Sequence, residues 1–364
     1  MRLYPRPLDR PTIEDVTTAM TQYKWAVIGA GPAGIAAVGR LLDHGVAGEH
    51  IAWLDPYFAA GDLGRKWRRV PSNTPVKTFL EYLYASPAFQ FTEAPLFALA
   101  EADPSQTCAL GLVAEPLVWI SDRLRERVSA VRTTVTDLRL RQRHWIATTG
   151  VGEIECDNVI LAVGATPKTL DHHGLTTIAL DVALDPDKLA QLPLDGATVA
   201  VFGSSHSSMV ALPNLLERPV AKVVNVYRSP LRYAVEFDGW TLFDDIGLKG
   251  HAAAWAKEHV DGVHPARLQR ISVYDKDFEA ALGMCDHVVY TVGFERRTLP
   301  HTPQFGSLDY NPTNGIIAPG MFGLGIAFPE RRADPLGFVQ HRVGLRKFMQ
   351  YLDAVLPIWL AYGT

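Results

Sequence analysis

The 364-residue sequence is poor in cysteine: Cys108, Cys156 and Cys285 are the only three, far apart and in no CxxC or CxxxxC spacing. That excludes a disulfide scaffold and a dithiol redox centre. An excess of positive charge is also missing. Thirty-five Lys and Arg against 39 Asp and Glu leave a net charge of −4, which excludes a protein that neutralises nucleic-acid phosphates. No apolar run approaches the ~18 residues of a membrane span, so no membrane partner is expected. Residues 1–23 read as an N-terminal arm; they carry Pro5, Pro7, Asp9, Glu14 and Asp15 and lack the apolar stretch of a signal peptide. A cytoplasmic location is the expectation. His172-His173 does not begin a metal site, because neighbouring loop side chains diverge and no HExxH or Cys/His cluster accompanies them. No metal is expected. What the chain does have is 48% apolar and 20% charged residues, the composition of a globular protein with a full core and, at this length, two domains.

Lys24-Trp25-Ala26-Val27-Ile28 reads as a buried parallel strand running directly into Gly29-Ala30-Gly31-Pro32-Ala33-Gly34. Ile35, Val38, Leu41 and Leu42 then recur at helical spacing as far as Gly45. Ile51-Ala52-Trp53-Leu54 is a second strand, and Asp55 follows it, 21 residues beyond Gly34. Strand, GxGxxG, helix, strand, acid is the context that a dinucleotide-binding turn requires. In such a turn Gly29 makes the tight bend, Gly31 admits a pyrophosphate to the backbone, and Gly34 lets helix pack on strand. The helix N-terminus offers free N–H groups to phosphate, and Asp55 is placed to accept hydrogen bonds from a ribose diol.

Beyond Asp55 comes a glycine-rich loop with Gly61, Gly64, Arg65 and Trp67, then Asn73-Thr74. This order resembles the flavoprotein oxidoreductases with two dinucleotide-binding domains, and among them the flavin-containing and N-hydroxylating monooxygenases. Cys156–Ala165 is similar to the strand by which that family leaves its FAD domain. His287–Phe294 is similar to the strand by which it returns. The resemblance implies an α/β fold of two Rossmann-like domains: an FAD domain of residues 24–165 and 294–364, and an NAD(P)H domain of 166–293 inserted into it. It implies FAD contacts from Gly29, Gly31, Pro32, Ala33, Gly34, Asp55, Arg65, Trp67, Asn73, Thr74, Val135, Gly164 and Gly325. Near the C-terminus the family usually has Gly-Asp; here Gly325 precedes Ile326, so the usual carboxylate is missing. From Leu336 the spacing of Val339, Val343, Phe348, Leu352 and Val355 predicts a helix packed on the FAD domain.

Within the insertion, Ala197–Phe202 leads to Gly203-Ser204-Ser205-His206-Ser207-Ser208, again strand, turn and helix. Ser205 and Ser208 stand where the second and third glycines would be. Serine hydroxyls and His206 are available to donate hydrogen bonds to phosphate at this helix N-terminus. Lys222–Tyr227 is the next strand. From Gly29 to Asp55 is 26 positions and from Gly203 to Arg228 is 25, so Arg228 occupies the place of Asp55. A cation there suits the 2′-phosphate of NADPH, with Arg232 as a second contact; NADH is the alternative coenzyme. A hydrolase nucleophile elbow is rejected, because Ser207 fills the closing position of G-x-S-x-G and His206 adjoins Ser205. Residues 260–277 give no functional signal.

The resemblance implies an NADPH-using, FAD-dependent monooxygenase acting on a nucleophilic nitrogen or sulfur centre of a small molecule through a flavin hydroperoxide. No catalytic side chain is assigned, since the cofactor carries the chemistry. The FxGxxxHxxx segment expected before the second turn is absent. Two alternatives stay open: an NAD(P)H oxidase or quinone-type reductase without a redox dithiol, and a flavoprotein that binds nucleotide without turnover. A homodimer is the assembly considered.

Overall fold

The computed structural model describes residues 22–362, so most of the N-terminal arm lies outside the described residues. The chain opens with β1 (Gln22–Ile28), α1 (Pro32–Asp43) and β2 (Ile51–Leu54). A short helix α2 (Gly61–Arg65), β3 (Pro71–Pro75), α3 (Val76–Leu83) and α4 (Leu110–Arg125) follow, then β4 (Ser129–Val131) and the meander β5 (Val135–Arg141), β6 (His144–Thr149), β7 (Gly152–Leu161). Next come β8 (Ala165–Pro167), β9 (Thr176–Thr177), β10 (Thr198–Phe202), α5 (His206–Leu216), β11 (Lys222–Tyr227), α6 (Gly250–His259), β12 (Leu268–Ser272) and β13 (His287–Tyr290). The chain ends in β14 (Phe294–Arg296), β15 (Ile316–Ala318), β16 (Met321–Gly323) and α7 (Leu345–Leu360).

Two sheets result. The first runs β15-β16-β7-β1-β2-β4, with β6 pairing the first half of β7 and β5 pairing β6. Around β1 all pairings are parallel. The second runs β9-β13-β10-β11-β12, parallel throughout. It is built wholly from the stretch between β7 and β15, so one Rossmann-like unit is inserted into the other. The two crossings, β8 and β14, pair antiparallel with each other.

Packing follows from the apolar spacing. Ile35, Val38 and Leu41 on α1 are fully buried against Leu352, Val355 and Leu356 on α7, each burial contributing about 1.5–3 kcal/mol. The helix expected from Leu336 starts later, at Leu345. Gly337 turns at φ +81, and Val339–Arg342 forms a strand back onto Glu330–Ala333. Val339 and Val343 are accordingly surface residues rather than the first apolar turn of a helix. Among the described residues no helix is long and apolar enough to cross a membrane.

The two units meet along a seam. Gly250, at φ +55, lies so close to Thr107 that an added Cβ would come within 2.7 Å of its methyl. Further along, Lys347 Nζ bridges Asp244 at 2.6 Å and Asp245 at 2.7 Å. Asp245 Oδ1 also accepts from the Val343 amide at 3.0 Å. Phe243 meets Phe338 edge to face, with ring centroids 5.0 Å apart.

Candidate functional site

The first glycine turn is built as its spacing predicts. Gly29 has φ +112, and a side chain there would overlap the Ala162 carbonyl. A Cβ on Gly34 would overlap the Gly29 carbonyl oxygen. Gly31 differs: its φ of −78 and ψ of −179 suit any residue, and the nearest atom to an added Cβ is Gly61 Cα at 3.8 Å. Glycine at position 31 therefore leaves room for a ligand rather than enabling a bend. Pro32 begins α1 and costs nothing there, since the first helical N–H groups have no helical acceptor. Ala33 is covered by Gly325, where at φ +87 a Cβ would sit 2.6 Å from the Ala33 methyl. Open backbone donors, a helix N-terminus and close backbone cover form a cradle that fits the pyrophosphate of a dinucleotide.

Asp55 does more than the sequence suggests. Its Oδ2 accepts from Ala30 N at 2.8 Å, and its Oδ1 accepts from the amides of Tyr57 and Phe58, both at 2.7 Å. The carboxylate thus ties the following loop to the glycine turn. Only Oδ2 retains a lone pair for a ribose hydroxyl. Trp53, not singled out by motif, donates from Nε1 to the Gly29 carbonyl at 3.0 Å and fixes the bend.

The loop residues divide. The Arg65 guanidinium lies 3.5 Å over the Tyr57 ring. Asp62, one turn earlier, pairs with Arg297 at 2.8 Å, fastening α2 to the returning crossing. Trp67 packs edge-on to Phe294 and against the second unit's core, so it belongs to the seam as much as to the loop. Asn73 and Thr74 are half-buried in β3, where Thr74 Oγ1 donates to Asn73 Oδ1 at 3.1 Å. Val135 is buried with Leu138 and Leu161, so its side chain lines core. Gly164 turns at φ +76 at the outgoing crossing, and its carbonyl accepts from Arg297 N at 3.2 Å.

In the second unit Gly203 has φ +127, and a Cβ there would crowd Thr291 and Ser208. Ser208 is fully buried, with its Oγ 2.7 Å from Thr291 Oγ1. Ser204 Oγ donates to Ser229 O at 2.9 Å, stitching the turn to the chain just after Arg228. Ser205 is exposed at the N-cap, and Ser207 is half-buried in the first helical turn. His206 faces the seam: its Nε2 is 3.3 Å from the Pro71 carbonyl, and its Nδ1 is buried without a partner. Burial chiefly, with Lys249 and His251 nearby, holds this imidazole below its ordinary pKa, against the opposing pull of the Pro71 carbonyl. Folding there favours the neutral imidazole.

Arg228 is exposed just past β11, and among the described residues nothing bonds or ion-pairs its guanidinium. Arg232 is exposed and lies at the seam. Its guanidinium lies 4.7 Å from the Phe243 ring and 5.8 Å from the Phe338 ring, so it caps the seam. Asn225 escaped sequence reading; its Nδ2 donates to the carbonyls of Val201 at 3.0 Å and Gly203 at 2.8 Å. The one available signal was a polar residue inside the run Val223-Val224-Asn225-Val226.

A family model described as pyridine nucleotide-disulphide oxidoreductase matches residues 23–212. A monooxygenase of Paecilomyces divaricatus, AgnR1, is 33% identical over 382 residues, spanning 92% of this chain and 97% of that protein. The flavin-containing monooxygenase from Stenotrophomonas maltophilia superposes with a TM-score of 0.65 at 15% identity, over 95% of this chain and all of that one. Thioredoxin reductase from Lactococcus lactis gives 0.57 at 12% identity, over 93% of this chain and 98% of that one. At such identities the two structures speak to fold alone, and the fold is the one described above.

Proposed function

The chain belongs to the pyridine nucleotide-disulphide oxidoreductase family, and on that premise we propose that it is an FAD-dependent, NADPH-using monooxygenase. Its substrate is a small molecule with a nucleophilic nitrogen or sulfur centre, and its compartment the cytoplasm. One observation carries the reading: two strand–glycine turn–helix units are present, and no pair of cysteines accompanies them. Cys156 and Cys285 are buried and Cys108 half-buried, all three free. Burial raises the pKa of each and keeps it a thiol. Electrons reaching the flavin therefore pass to an external acceptor, and the 33%-identical monooxygenase favours oxygen as that acceptor.

Bound FAD supplies hydride acceptance and oxygen activation. The chain supplies position. We take 24–165 and 294–364 as the FAD domain and 166–293 as the NADPH domain. Gly31 and the start of α1 hold the FAD pyrophosphate, with Asp55 at the ribose. The Gly203–Ser207 turn holds the coenzyme pyrophosphate, with Arg228 at the 2′-phosphate. The test is to mix holoenzyme with NADPH anaerobically, follow loss of flavin colour, then admit oxygen with a panel of amines and thioethers. Bleaching by NADPH and one oxygenated product per NADPH consumed are expected. Hydrogen peroxide as sole product with every nucleophile would establish the oxidase instead. No bleaching by NADPH or NADH would establish nucleotide binding without turnover.

A further inference from the structure

Residues 228–249 leave the carboxyl end of β11, reach across to the first unit and return to α6. None of residues 228–246 is buried. Their only strands form a short ribbon, Val235–Phe237 against Trp240–Leu242, less than a sheet needs to stand alone. The segment facing them is built alike. Glu330–Ala333 pairs with Val339–Arg342 as a second ribbon, in which Gln340 alone is buried. Arms with so little buried surface open locally at small cost unless something holds them.

These two hold each other. Phe243 meets Phe338, and the Arg232 guanidinium lies over both rings. Gln340 Oε1 accepts from the Asp245 amide at 2.9 Å. Asp245 Oδ1 accepts from Val343 N, and Lys347 at the start of α7 reaches both Asp244 and Asp245. Phe243 makes its contact from φ +57, a left-handed conformation that an aromatic residue adopts only under constraint. The closed arrangement therefore carries strain that opening relieves.

Where the arms begin says what they span. One begins beside Ser229, whose carbonyl accepts from Ser204 Oγ of the second glycine turn. The other follows Gly325, which lies on the Ala33 methyl of the first turn. We propose that the two arms form a gate across the cleft between the glycine turns, opening by release of each other while the cores of both units stay in place. What passes the gate is the dinucleotide of the second turn, and in that respect the inference rests on the reading of NADPH as coenzyme.

Hydrogen–deuterium exchange of the flavin-loaded protein tests the gate without any coenzyme. Residues 232–246 and 330–343 are expected to exchange together, and faster than β10 and β11. Phe338→Ala, on one arm, is expected to speed exchange in residues 232–246 of the other. Lys347→Met, on α7 and outside both arms, is expected to speed exchange in both, and it carries the test should Phe338→Ala fail to fold. Acceleration confined to the substituted arm, or no acceleration in either arm in Lys347→Met, would overturn the proposal.

A cross-link tests passage. Phe243→Cys and Phe338→Cys are joined by a short bismaleimide in a Cys108→Ser background, the other two cysteines being buried. The linked protein is expected to lose flavin reduction by NADPH and to keep reduction by dithionite, which needs no nucleotide site. The same variant left unlinked is expected to keep both. Reduction of the linked protein by NADPH at the unlinked rate would show that nothing passes between the arms, and the gate would fall. If neither NADPH nor NADH reduces wild type, the coenzyme reading is what fails, and the exchange result decides on the arms by itself.

Discussion

The two nucleotide turns of this protein solve one geometric problem with different side chains. In each, the carbonyl of the first glycine is held by a side-chain N–H from the adjacent strand: Trp53 Nε1 on Gly29, Asn225 Nδ2 on Gly203. In each, that glycine has a positive φ and no space for a side chain. They part at the third position. Gly34 presses directly on the Gly29 carbonyl, whereas Ser208 stands off and fills the gap with a hydroxyl contact to Thr291. They part again at the strand end, where Asp55 reaches back to Ala30 and Arg228, among the described residues, reaches back to nothing. The first turn is thus tight and internally tied. The second is looser and ends in a cation that nothing engages among the described residues.

Exchanging residues between the turns breaks this comparison most severely in the first. Gly34→Ser puts a Cβ into the Gly29 carbonyl oxygen, so α1 must move off β1. A loss of about 3 kcal/mol or more and flavin-free protein are expected, read by thermal denaturation and absorbance. Ser208→Gly removes one hydroxyl contact and is expected to cost about 1–2 kcal/mol, including the glycine penalty inside a helix. Gly31→Ser separates folding from binding. With no atom within 3.8 Å of the new Cβ, the apoprotein should melt within about 0.5 kcal/mol of wild type, while flavin is lost because the pyrophosphate needs that space. A yellow Gly31→Ser protein with full flavin content would sink the assignment of this turn to FAD.

The seam sharpens the comparison next, because the second turn leans on it and the first does not. Lys347 is the cation between Asp244 and the nearly buried Asp245. Lys347→Ala leaves both carboxylates without it and should cost about 3 kcal/mol, visible as a lowered Tm at unchanged flavin affinity of the folded protein. Burial works to raise the Asp244 pKa, but Lys249 and Lys347 outweigh it and hold the carboxyl below its ordinary 3.8. A carboxyl depressed by folding contributes stability above that ordinary value and loses it as pH falls through the folded one. His206 adds an earlier window. Folding favours its neutral form, so its contribution is present above the ordinary 6.5 and declines as pH drops below it. Acid should therefore loosen the seam in two stages, the first absent in His206→Gln. A single-stage acid profile in wild type would contradict this.

Much of this was legible in the sequence, and the parts that were not share a cause. GxGxxG followed by a strand and Asp55 predicted both the fold and the first cradle, because those constraints are local: bend, helix start and strand end lie within 27 residues. The crossings were legible as two apolar strands ending in glycine. Long-range tethers were not. Nothing local says that Arg232 will settle on Phe338, more than 100 positions away, or that Arg270 will meet Asn225, 45 positions away. Residues 260–277 gave no signal for that reason: Arg270 matters through a neighbouring strand, and its own segment carries no motif. The helix boundary at Leu345 was missed because Val339 and Val343 keep helical spacing with α7 while lying on a hairpin and its exit.

The smallest expected effects compare two arginines four residues apart that sequence reading assigned to one phosphate. Arg228 is exposed and uncommitted, so Arg228→Ala should raise the Michaelis constant for NADPH by about tenfold and leave NADH nearly untouched. That difference should narrow at high salt, since an exposed ion pair is screened over about 8–10 Å at ordinary ionic strength. Arg232 is held over Phe243 and Phe338, where a cation on aromatic rings at the surface contributes about 0.5–1 kcal/mol. Arg232→Ala should therefore lower thermal stability slightly and leave the NADPH-to-NADH ratio as it is in wild type. Anaerobic flavin reduction with each coenzyme, for wild type and both variants, measures the two ratios side by side. If Arg232→Ala shifts the ratio as far as Arg228→Ala does, the guanidinium leaves its rings when coenzyme binds, and the division of labour between turn and seam drawn here is wrong.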